Sequence, residues 1–206
     1  MITGDYIDDS AVPHGFVRAA SGTITEFDAP GAGSGGTLPQ SINSVGTIAG
    51  YYYDANHRAH GFVRTANGTI TTFDAPGASY ETIALSINTV GDIAGFYADG
   101  KNVSHGFVRR ASGAMTMFDA PSAGTDANQG TFAISVNAAE VITGYNFDAH
   151  SARHGFVRGA DGAMSTFQAQ AQARVRTWAR WPGASTLPLQ SRGTTGTRVA
   201  TLVAFC

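Results

Sequence analysis

The sequence has little charge and almost no cysteine, and each shortage excludes a class of protein. Charged residues make up 14% of the 206 residues, and the formal net charge is −2. With only 13 lysines and arginines, the chain lacks a basic surface able to neutralise a row of phosphates, so we expect no nucleic-acid partner. Cys206 is the sole cysteine, which excludes an intrachain disulfide and an intrachain thiolate metal cluster.

Long apolar runs are also missing. No stretch approaches the roughly 18 consecutive apolar residues of a membrane-spanning helix, so we expect no membrane partner. The segment from Met1 to Asp5 lacks the basic and then apolar residues of a signal peptide, and the sequence leaves the compartment open. The apolar content of 43% nevertheless predicts a folded, soluble domain with one sizeable core.

Internal repetition is the strongest signal in the chain. The segment His-Gly-Phe-Val-Arg occurs four times, at spacings of 46, 45 and 49 residues, beginning at His14, His60, His105 and His154. An aspartate precedes each of these histidines by six residues. Two further blocks recur in a fixed order. Phe-Asp-Ala-Pro begins at Phe27, Phe73 and Phe118, and Ser-Ile-Asn or Ser-Val-Asn begins at Ser41, Ser86 and Ser135.

Each repeat is predicted to contain four short strands, such as 84–88, 92–97, 105–109 and 114–119. Their Ile, Val, Phe, Tyr and Thr content is typical of strands, and Gly-containing turns separate them. Four strands at a period of about 46 residues predict an all-β fold of β-propeller type, because one such sheet must stack on its neighbours. A solenoid and a Greek-key sandwich are the weaker alternatives. The predicted blades lie near 2–43, 47–88, 92–137 and 140–168, the first and last being incomplete.

Residues 169–206 depart from the repeat pattern and form an atypical tail. Gln168 stands where the other repeats have Asp28, Asp74 and Asp119. The strand-like segment 197–205 is a candidate for the innermost strand missing from the first blade, which would close a four-bladed ring. Otherwise we expect chains to associate with one another to complete a larger ring.

The pairing of Ser-Ile-Asn-x-x-Gly-x-Ile-x-Gly with His-Gly-Phe-Val-Arg resembles bacterial extracellular repeats of the HAF type. The resemblance covers residues 2–167. It implies a propeller-like repeat fold and an exported bacterial origin, and it implies no catalytic residues.

One face of the predicted propeller collects the titratable side chains. If Ser-Ile-Asn lies nearest the axis, the hairpins between second and third strands and the connections between repeats emerge together on that face. Six imidazoles there form a candidate site for a divalent metal, zinc first and calcium second: His14, His57, His60, His105, His150 and His154. A structural role competes with this, because a histidine repeated beside aspartates can hold the loops by hydrogen bonds.

Two functions from different classes remain open, and the first is favoured because carboxylates and imidazoles converge on one rim of the predicted propeller. In the first, metal-bound water attacks an activated ester, a lactone or a phosphotriester, with Glu81, Asp74 and Asp119 as catalytic carboxylates. In the second, the chain is a non-catalytic, multivalent module that binds a glycan or a protein. The side chains predicted to stack on a small-molecule substrate or a glycan are Tyr53, Tyr80 and Tyr97. Bound metal and loss of activity on chelation would distinguish the two functions.

Overall fold

The computed structural model describes residues 1–168, which contain fifteen β-strands and no helix. The all-β prediction is therefore confirmed. None of the described residues belongs to a helix of the length and apolarity that a membrane crossing needs. The predicted tail at 169–206, with its candidate closing strand, lies outside the described residues. The strands are β1 (Ile2–Ile7), β2 (Pro13–Arg18), β3 (Ile24–Phe27), β4 (Thr37–Ile42), β5 (Ile48–Tyr53), β6 (Ala59–Arg64), β7 (Ile70–Phe73), β8 (Glu81–Ile87), β9 (Ile93–Ala98), β10 (Ser104–Arg109), β11 (Met115–Phe118), β12 (Gly130–Val136), β13 (Ile142–Phe147), β14 (Arg153–Arg158) and β15 (Met164–Phe167).

The strands form four antiparallel units that follow the sequence repeat. The first unit has three strands, β1 to β3, and stands as a separate sheet. The second unit (β4 to β7), the third (β8 to β11) and the fourth (β12 to β15) are four-stranded meanders within one open sheet. Single parallel bridges, Ala59 with Glu81 and Ser104 with Gly130, join the third strand of one unit to the first strand of the next.

The strands predicted for one repeat all occur, within three residues of their predicted bounds, as β8, β9, β10 and β11. The grouping of strands differs from the predicted blade boundaries by one strand. Hydrogen bonds join β4 to β5 across the turn 43–47, so residues 37–42 belong with the strands that follow them. The hydrogen-bonded units accordingly run 2–27, 37–73, 81–118 and 130–167.

The repeated Ser-x-Asn motif ties the first strands of successive units together. Each asparagine accepts hydrogen bonds through its side-chain oxygen from the backbone N–H groups two and four residues later, which closes the turn. The side-chain amide of Asn43 donates to the Asn88 carbonyl at 3.1 Å, and that of Asn88 donates to the Asn137 carbonyl at 3.2 Å. The Ser86 hydroxyl accepts from the Val136 N–H at 3.2 Å. In each of these bonds between units, a side chain of one unit contacts the backbone of the unit that follows it.

The glycine of His-Gly-Phe-Val-Arg is required by close packing. A Cβ on Gly61 would lie 2.6 Å from the ring of Phe73, which crosses it from the neighbouring strand β7. The glycine of the second strand is tighter still, since a Cβ on Gly95 would come into collision with the backbone carbonyl of Ile83. Neither position has room for a side chain.

The core lies between units, where successive sheets pack face to face. Between the second and third units, Ala49, Val63 and Phe73 contact Ile93 and Phe107, and the other two junctions repeat this pattern. Burying these faces is the main stabilising contribution to the fold, because a single four-stranded sheet cannot cover its own apolar surface.

The arginine of His-Gly-Phe-Val-Arg in the second, third and fourth units packs over a phenylalanine ring of the preceding unit. The guanidinium carbon of Arg64 lies 4.7 Å from the ring centre of Phe27, and Arg109 lies 4.8 Å from that of Phe73. Arg158 repeats the contact on Phe118. Burial lowers the pKa of Arg64 and of Arg109. The repeated arginine therefore has a packing role that crosses from unit to unit.

Candidate functional site

One end of the units, here called the loop face, carries nearly all of the predicted site residues. It consists of the hairpins between second and third strands and of the connections between units. Both emerge at the same end because each unit is an antiparallel meander. The hairpins are 8–12, 54–58, 99–103 and 148–152, and the connections are 28–36, 74–80 and 119–129.

Each motif histidine in the first three units lies between two carboxylates of its own unit. Nδ1 of His60 is 2.8 Å from Asp74 Oδ1, and Nε2 is 3.5 Å from Asp54 Oδ2. His14 repeats this at 2.9 and 3.4 Å, and His105 repeats it at 3.0 and 3.6 Å. A ring whose two nitrogens both face carboxylates donates through both when protonated, and it directs no lone pair toward a metal. Asp74 and Asp119, predicted to be catalytic, therefore contact His60 and His105, which were predicted to bind the metal.

The fourth unit keeps only half of this arrangement. His154 Nε2 lies 2.8 Å from Asp148 Oδ2, while Gln168 replaces the second aspartate. The hydrogen bond from His154 is the largest cause that lowers the pKa of Asp148, to about 2. In the first unit the hydrogen bond with Asp28 raises the pKa of His14. Both shifts arise because the contact between imidazole and carboxylate favours the charged form of the group concerned.

The same aspartates also shape the hairpins. Asp54 Oδ1 accepts hydrogen bonds from the N–H groups of Asn56 and Arg58, both at 2.8 Å, and the equivalent aspartates do likewise. For Asp8, Asp54 and Asp99 a backbone hydrogen bond of this kind is the largest cause that lowers the pKa. One carboxylate therefore fixes both a turn and an imidazole.

An aromatic ring stacks on each of these histidines from the directly opposed residue of the preceding strand. The ring centres are 5.5 Å apart for Tyr6 and His14, 5.3 Å for Tyr52 and His60, and 5.1 Å for Tyr97 and His105. Tyr97, predicted to stack on a ligand, is only 8% exposed and contacts His105 instead. In the fourth unit the buried Asn146 replaces the tyrosine.

The two histidines outside the motif lie on hairpin tips. His57 is exposed and adopts a left-handed backbone with φ of 58°, at the hairpin position where Ser151 stands in the fourth unit. His150 is also exposed, and its N–H donates to Asp148. The structure gives neither ring a hydrogen-bond partner among the described residues. They remain solvent-facing groups on separate units.

Glu81 and Tyr53 are the two predicted residues that the structure brings together outside the histidine arrangement. Glu81 begins β8 and is half-buried, and burial raises its pKa. Burial also raises the pKa of Tyr53, with the negative charge of Glu81 adding to the effect. Tyr53 packs edge-on against Tyr51 at 5.8 Å, while Tyr80, next to Glu81, is 53% exposed. This corner presents an aromatic and acidic surface.

The described residues contain no group of three or more His, Cys, Asp or Glu side chains arranged to hold a metal ion. Zinc in proteins is bound by three or four such ligands at about 2.0–2.3 Å, through deprotonated thiolates or neutral imidazoles. Here each motif imidazole is engaged by carboxylates of its own unit. Zinc binding by these imidazoles stays a prediction, which their carboxylate contacts oppose, and binding of calcium, which takes oxygen ligands, stays a prediction as well.

A groove at the end of the fourth unit was not predicted. It has a volume of about 570 Å³, and its lining includes Tyr145, Arg153 and Phe167. The guanidinium of Arg153 lies 3.6 Å from the ring centre of Tyr145. The sequence contained one signal for it, because Arg153 stands where the other units have Pro13, Ala59 and Ser104.

Neither a protein-family model nor a curated protein matches this chain. The repeats and the contacts that they make are therefore the basis for assigning a function.

Proposed function

We propose that the chain is a propeller-type repeat scaffold that acts as a non-catalytic, multivalent binding module for glycans or a protein ligand. The observation that carries this proposal is the use of the repeated polar side chains. His60 and its equivalents are held by aspartates and a stacked tyrosine of the same unit, so they build the loops. A scaffold of this kind presents several similar loop surfaces instead of one convergent reaction centre.

The propeller architecture is part of the proposal. Four antiparallel units of similar strand order follow one another, each packed face to face on the next. The first strands β4, β8 and β12 contact one another in succession, and the asparagine bonds connect their turns. First strands gathered side by side are what sheets arranged around a common axis require. The resemblance to HAF-type repeats supports the same architecture.

The candidate ligand surface is the loop face around the second and third units. Tyr80 exposes half of its side chain there and precedes Glu81, and burial together with the charge of Glu81 raises the pKa of Tyr53. Aromatic rings with an adjacent carboxylate suit a sugar, because a ring stacks on C–H groups while the carboxylate accepts hydrogen bonds from hydroxyls. The connections 28–36, 74–80 and 119–129 lie on the same face and differ in length and sequence from one unit to another.

The test is binding to a panel of oligosaccharides and polysaccharides, with stoichiometry from titration calorimetry. We expect more than one site per chain, and binding that EDTA leaves unchanged. Tyr80→Ala should remove one class of site. Val90→Ala is the matched control, since Val90 is 63% exposed on a turn at the opposite end of the units.

The metal-dependent hydrolase of activated esters, lactones or phosphotriesters is the alternative. The same protein should be examined by native mass spectrometry before and after EDTA. A chain that binds no member of the panel, carries a divalent ion, and hydrolyses an ester or phosphotriester only before EDTA treatment would contradict the binding module and favour the hydrolase.

A further inference from the structure

The three junctions between units are built from two complementary half-surfaces. The front half-surface of a unit consists of the isoleucine that begins its second strand, the tyrosine of the same strand, and the phenylalanine and arginine of its third strand. The back half-surface consists of the valine of the third strand and the phenylalanine of the fourth. At the first junction, Ile48, Tyr52 and Phe62 pack against Val17 and Phe27. The other two junctions use the equivalent residues, except that Asn146 replaces the tyrosine in the fourth unit.

The first unit carries a front half-surface that no described residue covers. Ile2 is 57% exposed and Tyr6 is 38% exposed, whereas the equivalent Ile48 and Tyr52 are 0% and 7% exposed. Ile24, at the position of the half-buried Ile70, is 59% exposed. Arg18 and Phe16 stand where Arg64 and Phe62 hold the ring of Phe27, and Arg18 is exposed.

The fourth unit carries the opposite half-surface, also without cover from the described residues. Phe167 is 55% exposed and Val157 is 37% exposed. The equivalent Phe73 is half-buried against Phe107, with ring centres 6.2 Å apart, and lies beneath Arg109. The 570 Å³ groove adjoins Phe167 on this surface. It lies where each earlier unit receives the sheet of the next one.

We propose that a second copy of this chain covers these surfaces, with the back of one copy against the front of the next. Phe167 of one copy then packs edge-on against Phe16 of the other, and Arg18 of that copy covers the Phe167 ring. The two half-surfaces fit because three junctions in the same chain already join surfaces of this composition. Apolar patches of this kind are uncommon on a monomer's surface. The contact is heterologous, so it closes into a ring or continues.

The proposed interface can be tested by sedimentation velocity on the full chain over a range of concentrations. The wild type is expected to form a concentration-dependent oligomer. Ile24→Asp damages the front surface and Phe167→Asp damages the back surface, and each variant alone should sediment as a monomer. Both side chains are more than half exposed, so the fold should tolerate the changes, which circular dichroism can verify. Val90→Asp, 63% exposed on a distant turn, should leave the oligomer intact.

Mixing the two damaged variants gives the decisive result. Ile24→Asp keeps an intact back and Phe167→Asp keeps an intact front, so an equimolar mixture should form a one-to-one heterodimer through a single junction. A contact between two identical surfaces would give no such rescue. The proposal is overturned by a monomeric wild type, by an oligomer that survives either variant, or by a mixture that stays monomeric.

Discussion

Replacing Phe73 with alanine should reveal how much one junction between units contributes to the stability of the chain. Phe73 is half-buried. Its ring centre lies 6.2 Å from that of Phe107 and 4.8 Å from the guanidinium carbon of Arg109. Burial of an aromatic side chain contributes about 1.5–3 kcal/mol. An edge-on aromatic pair adds about 0.5–1.5 kcal/mol, and a cation over the ring about 0.5–1 kcal/mol. Because Phe73 is only partly buried, the lower ends of these ranges apply, and we expect a loss of about 2–3 kcal/mol.

The measurement is thermal unfolding followed by circular dichroism, with the protein dilute enough to be monomeric. A loss of this size lowers the midpoint of a chain of this length by roughly 5–10 °C. Phe167→Ala is the matched control. It removes the same residue from the same position of the motif, but Phe167 is 55% exposed, so its effect should stay within about 0.5 kcal/mol. Equal effects of the two substitutions would refute the assignment of the core to the junctions.

Two further substitutions examine the turns and the close contacts. Gly95→Ala should destabilise the fold by about 1–3 kcal/mol or more, because the new Cβ meets a backbone carbonyl that cannot move aside. Gly100→Ala should be tolerated at 3.5 Å from its nearest neighbour, and chemical denaturation compares the two. Asp148→Asn should lower the unfolding midpoint at neutral pH, because it removes the carboxylate that lies 2.8 Å from His154 Nε2 and accepts two N–H groups of its hairpin. The pKa of Asp148 is lowered from 3.8 to about 2, so this contribution is present above about pH 4, and the gap between wild type and variant should close as the pH falls through about 2. A gap that is independent of pH would contradict a stabilising role for the charged Asp148 carboxylate, and Asp9→Asn, at an exposed neighbour of Asp8, controls for net charge.

The sequence predicted the strands well because each repeat carries its own turn signals. Asn88 and Gly91 enclose one turn and Asp99 begins the next, and the residues between them are strand formers. The blade boundaries were displaced by one strand, since the spacing of motifs does not reveal which of two adjacent turns carries the hydrogen bonds. Only the ladder from β4 to β5 settles that.

The candidate site was harder to predict. Sequence analysis could place His60 and Asp74 on one face. It could not show whether the imidazole binds a metal or the neighbouring carboxylates, because that depends on the distances between the side chains. With Asp74 and Asp54 on its two nitrogens, the ring is engaged within its unit. The exposure of Phe167 depends on its place in the array, because Phe167 ends its strand as Phe73 does but no further unit follows it within the described residues.

The direction of the contacts between units has a consequence for how the chain opens. Each unit places its arginine on the ring of the unit before it, and each asparagine donates to the turn of the unit after it. Within the described residues, the second and third units are held from both sides, whereas the first and fourth are held from one side only. In a linear array with nearest-neighbour coupling, the ends fray first and the middle opens last. In a protein dilute enough to be monomeric, amide hydrogen exchange should therefore be slowest in the second and third units and quicken toward β1 and β15.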